Sequence, residues 1–148
     1  MSCKSPFSTP VTISLYADNV VTFDRPFTAF APIVSSAYAT IATGQTGTKL
    51  IVSEFTRLEV SPTTTVAGTK RTVVIEYDVD QTDATDAIQQ LTPFLHGNYH
   101  ARVSFLNGAI AWVRSTPKAF SLQYEETDGR LHVTITIDTV SGIQRISD

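Results

Sequence analysis

VVIEYDVDQTDATDAIQQL, Val73 to Leu91, changes its periodicity midway. Its opening, with the β-branched run Thr72 to Ile75, suits a pleated sheet. Its second half places Ala87, Ile88 and Leu91 along one stripe of a helix. Asp83 reads as the N-cap of that helix, and Asp86 adds negative charge to the first turn, where the peptide dipoles favour it. Pro93 ends or kinks the helix. Asp78, Asp80 and Asp83 thus crowd one strand-to-helix junction in a chain that is only 17% charged.

Outward from this junction, short β-type runs alternate with turn chemistry. Val11 to Tyr16 alternates cleanly and is followed by the Ala17-Asp18-Asn19 turn and a second run, Val20 to Phe27. Phe30 to Ala42 is ambiguous, because Pro32 excludes a nearby central strand position and the Ala and Ser content would permit a helical turn. Gly44 to Gly47 is a turn. Thr48 to Pro62 alternates out of step with itself, which predicts a bulge or bend near Ser53 to Thr56. Downstream, Tyr99 to Leu106 and Ala109 to Ser115 flank Asn107-Gly108. After a break at Pro117, Ala119 to Glu126 and Arg130 to Val140 flank Asp128-Gly129. Asn-Gly and Asp-Gly between alternating runs are strong hairpin signals. The expected fold is all-β: an eight-stranded antiparallel jelly-roll sandwich with one short helix between strands. It forms a single domain over residues 1–148, with residues 1–10 as a flexible N-terminal arm.

Composition agrees with this class. The chain has 148 residues, 42% of them hydrophobic, enough for a real core. A single cysteine, Cys3, forms no internal disulfide, which is consistent with a reducing compartment. No apolar run approaches the roughly 18 residues of a membrane-spanning helix, and no secretion signal is evident, so no membrane partner is expected. The net charge is −3, with 11 Lys and Arg spread singly along the chain. Such spacing argues against a surface devoted to nucleic acid.

Catalytic patterns are weak. There is no G-x-S-x-G elbow, and Cys and His are not grouped at zinc spacing. His96 and His100 would share a face only if the helix continued through Gly97, against the break at Pro93. His132 reads as an exposed or hydrogen-bonded strand residue. Tyr38, Tyr99, Tyr124 and Trp112 fall on separate elements and read as core and rim positions. The expectation is a protein that is not an enzyme. The aspartates carry more. Asp78, Asp80 and Asp83 form a partial carboxylate set of the kind that holds Ca²⁺, although DVDQTD lacks the glycine and distal glutamate of an EF-hand loop. The alternative is a solvated turn in which Asp83 caps the helix.

The segment EFTRLEVSPTTTVAGTKRTVVIEYDVDQTD resembles the shell domain of coat proteins from small icosahedral RNA viruses of the tombusvirus, sobemovirus and nodavirus-like group. The likeness rests on Arg57, Leu58, Val60, Pro62 to Thr65, Gly68 and Asp78-Val79-Asp80, and on GRLHVTITIDTV, which is similar to the closing strand of that group. In element order it spans roughly Phe27 to Val140. The resemblance implies a jelly roll that assembles with copies of itself into a closed shell in the virion, made in the host cytoplasm. It also implies Ca²⁺ between neighbouring subunits at Asp78, Asp80 and, less directly, Asp83, with the remaining ligands from another chain. Members of the group begin with a long basic arm, whereas MSCKSPFSTPV carries one lysine, so contact with viral RNA is expected to be weak and salt-sensitive. The expected function is therefore a structural coat protein. The alternative is a ligand-binding β-sandwich module that recognises carbohydrate or serves a phage tail.

Overall fold

Hydrophobic alternation with a period of two builds nearly all of the structure, a computed structural model that describes residues 10–23, 33–34, 38–65, 68–115, 120–127, 129–139 and 143–146. Twelve strands are present among these: β1 (Pro10–Ala17), β2 (Val21–Phe23), β3 (Ile33–Val34), β4 (Ala39–Ile41), β5 (Thr48–Lys49), β6 (Glu54–Thr65), β7 (Gly68–Val79), β8 (Tyr99–Phe105), β9 (Ile110–Val113), β10 (Phe120–Thr127), β11 (Arg130–Thr139) and β12 (Ile143–Ile146). One helix, α1 (Gln81–Leu91), and a 3-10 turn (Thr92–Phe94) link β7 to β8.

The strands form a six-stranded sheet in the order β3-β12-β9-β8-β1-β5, a four-stranded sheet β10-β11-β7-β6 and a two-stranded sheet β2-β4. All ladders are antiparallel except β12 with β3. The all-β class and the single short helix therefore stand, whereas the expected eight strands are twelve in three sheets. Each of the hairpins β6–β7, β8–β9 and β10–β11 stays within one sheet. Two features hid the extra strands. Thr48 to Pro62 reads as one run but breaks into β5 and β6, which join different sheets. The four residues of β12 give too short a pattern to register.

The two large sheets face each other across one core. Ile13, Leu15, Ala101, Val103, Ala111 and Val113 of the six-stranded sheet meet Val73, Ile75, Tyr77, Val79, Leu122, Val133, Ile135 and Ile137 of the four-stranded sheet. Helix α1 closes one end of the core with Ala87 and Leu91, followed by Phe94. Ile88 packs at its margin. Leu95, past Pro93, is exposed. On the far side of the six-stranded sheet, Tyr16, Trp112 and Val34 pack with Val21 and Tyr38 in a second, smaller cluster beneath β2 and β4. That sheet is thus covered on both faces, while the four-stranded sheet turns one face outward.

Local expectations fare unevenly. A register shift between Phe55 and Arg57 supplies the expected bulge. Gly108 has φ 88° and Gly129 φ 77°, the left-handed conformation that both hairpin turns require. Asp128 and Pro117, and the Pro32 region, lie outside the described residues. Pro10 belongs to β1 rather than to a terminal arm, and residues 1–9 lie outside the described ones. Among the described residues, β1 pairs with β5 and β8, and β2 pairs with β4.

Candidate functional site

Alternation along two central strands gathers a cluster of ion pairs on one face. On β7 the even positions face outward, so Glu76, Asp78 and then Asp80 stand in line while Tyr77 and Val79 are buried. On β11, Arg130, His132 and Thr134 face outward, and the ladder pairs His132 with Asp78 and Thr134 with Glu76. Arg57 of β6 lies opposite Glu76.

These positions converge into a network. His132 Nδ1 is 2.7 Å from Asp78 Oδ1, and its Nε2 is 2.9 Å from Glu76 Oε1. A carboxylate only accepts, so both contacts are satisfied at once by the doubly protonated ring. Asp78 and then Glu76 accordingly raise the His132 pKa above its ordinary value. The same hydrogen bond, followed by that from Arg57, lowers the pKa of Glu76. Arg57 Nη1 donates to Glu76 Oε2 at 2.9 Å, and its Nε donates to Glu59. Arg130 Nη2 donates to Asp80 Oδ1 at 3.1 Å; the guanidinium also lies 3.6 Å from Asp78 and 3.7 Å from Glu54. Beside this network an open depression of about 350 Å³ is lined by Glu76, Gln123, Tyr124, Glu125, His132 and Thr134.

Of the three candidate metal ligands, Asp78 and Asp80 are brought together through Arg130, and Asp83 is not. Helix α1 starts at Gln81, three residues earlier than its capping pattern suggests, with Asp80 as N-cap. Asp83 instead lies in the first turn, where its N–H bonds the Asp80 carbonyl at 2.9 Å, and Asp86 falls one turn later. Asp80 takes the N-cap position by its extended backbone alone: its carboxylate makes no side-chain cap bond and is engaged by Arg130 instead. The Asp80 N–H is taken by Ser53 Oγ at 2.9 Å, which ties the junction to the start of β6. Among the described residues, no group of three or more His, Cys, Asp and Glu side chains is placed to hold a metal ion.

Glu76, Arg57, Arg130 and His132 were missed as site residues. For Glu76, Arg130 and His132 the signal lies in the alternation of IEYDVD and RLHVT, which puts each on the same face as its strand neighbours two residues away; Arg57 lies on β6, beyond the bulge. What the alternation could not supply was the pairing of β7 with β11, which comes from strands more than fifty residues apart. The pair His96 and His100 does not form a site: His100 is buried under the two-stranded sheet, whereas His96 is exposed.

No family model, curated protein or solved structure matches this chain.

Proposed function

We propose that this chain is a structural subunit that assembles with copies of itself into a closed shell, as the coat protein of a small icosahedral virus does. The observation that supports it best is the outward face of the four-stranded sheet, where Arg57, Arg130 and His132 are each held by two or more carboxylates. Side chains already held in one conformation lose little further freedom when another surface closes on them. Arginine is enriched at protein contacts, and lysine is depleted there. In this reading the two large sheets take the part of the two sheets of a jelly roll, and repeated contacts close under symmetry.

Calcium belongs to the same proposal, at the contact between copies. Oxygen ligands from a second copy would join Asp78 and Asp80 there, with Arg130 turned away, because hard cations of this kind take about 6–8 oxygens. The acidic face repels phosphate, so any packaged RNA would lie against another surface. Assembly in a host cytoplasm and residence in a virion are part of this reading.

Sedimentation velocity and negative-stain imaging of the purified chain test it, with and without EDTA. Closed particles of uniform diameter are the expected outcome, and EDTA is expected to loosen them. A chain that stays monomeric at every accessible concentration would overturn the proposal. It would favour a ligand-binding module using the depression beside His132.

A further inference from the structure

One buried histidine sits between the six-stranded sheet and its outer cover. His100 projects from β8 into the second cluster with its side chain only 2% exposed. Its Nδ1 accepts a hydrogen bond from the Ser115 N–H at 3.0 Å, and its Nε2 lies 2.7 Å from Asp18 Oδ1. A ring whose Nδ1 accepts carries its one proton on Nε2, and this neutral tautomer satisfies both partners. Phe23 of β2 meets the imidazole edge-on, with centroids 4.9 Å apart. The same phenyl ring packs on Tyr38 and Trp112 and lies 4.4 Å beneath the Arg114 guanidinium.

A second proton cannot enter this arrangement without loss. It would set N–H against N–H at Ser115 and break a buried backbone hydrogen bond. Among the described residues, the charged groups facing the ring are Asp18, from the turn between β1 and β2, and Arg114, just after β9. Asp18 favours the imidazolium and Arg114 opposes it. The partner on β1 is Tyr16, and β2 contributes Phe23, neither of which is charged near neutrality. Burial is the largest influence and holds His100 below its ordinary pKa.

We infer that the β2–β4 layer is an acid-released flap, closed over Trp112 and Tyr16 while His100 is neutral and freed when His100 takes a second proton. The layer opens ahead of the sandwich because its strands have three residues each and pack in their own small cluster, apart from the main core. The sign follows from the lowered pKa. The contribution of neutral His100 to closure is complete above about pH 6.5, the ordinary histidine value, and falls as the pH drops from there towards the closed-state value. This inference does not depend on the assembly proposal.

Trp112 is the single tryptophan and only 3% exposed, so it reports the opening directly. Its emission and its quenching by acrylamide are to be followed from about pH 8 to about pH 4.5, across the histidine range, alongside far-ultraviolet circular dichroism. The expected result is a red shift and a several-fold rise in quenching that begin below about pH 6.5 while the sheet signal holds. His100→Gln, neutral throughout, should remove the step. Asp18→Asn should move it to lower pH, because the carboxylate that favours the imidazolium is gone. Asp18 is exposed, so this variant serves even if His100→Gln fails to fold. Trp112 emission that changes only together with loss of the sheet signal would overturn the inference. So would an Asp18→Asn step at an unchanged or higher pH.

Discussion

His132 and His100 carry opposite pH dependences within one small molecule. The raised pKa of His132 means that the fold binds its proton more tightly than the unfolded chain does. Its stabilisation is therefore fully present below about pH 6.5 and is lost as the pH rises through the raised folded-state value. His132→Gln is expected to lower the melting temperature more at about pH 6 than at about pH 8.5, as read by differential scanning fluorimetry. Equal losses at the two pH values would show that the Asp78 and Glu76 contacts hold no proton in the fold. The effect is expected to be modest, since the pair lies at a partly exposed surface where water screens charge. Read from the sequence alone, this position was only a strand residue. Its role needs Asp78 to arrive from β7, and local spacing carries no information about which distant strand that will be.

At the scale of elements, β7 and β11 are the two central strands of the four-stranded sheet. Ile135 is fully buried and stands between Ile75 on β7 and Leu122 on β10 in the ladder. Ile135→Ala removes several methyl and methylene groups from a site bounded by rigid strands, and should cost about 2–5 kcal/mol. Thr134→Ala, on the outward face, should stay within about 0.5 kcal/mol. Urea denaturation of the two variants checks this, and equal costs would mean that the inward and outward faces have been assigned wrongly. Both strands were legible in the sequence because a half-buried strand writes its two faces into alternate residues. Helix α1 was legible in its apolar stripe but not in its start, since Asp80 and Asp83 read as equally good caps, and Asp80 holds the N-cap position without any side-chain cap bond. Strand β12 was invisible: its buried Gln144 looks like a surface residue until the Tyr38 hydroxyl donates to it at 2.7 Å.

At the scale of the whole molecule, cladding is asymmetric. One sheet is covered on both faces, and the other keeps a bare charged face. The class of fold followed from composition and turns. The number of sheets did not, because β2 and β4 are three residues each, and a second layer built from so little leaves hardly any periodicity to read. The bulge between Phe55 and Arg57 has a further consequence for β6, an edge strand of twelve residues. A long open edge invites another chain to add a strand, and unchecked addition leads to fibres. Here the bulge twists the ladder, Pro62 withholds a donor, and Arg57 and Glu59 set charges along the rim. Strand addition at this edge is thereby disfavoured. The chain should stay free of thioflavin-binding fibres on prolonged incubation, whereas Pro62→Val combined with Arg57→Val should form them. A doubly substituted chain that remains fibre-free would place the protection elsewhere.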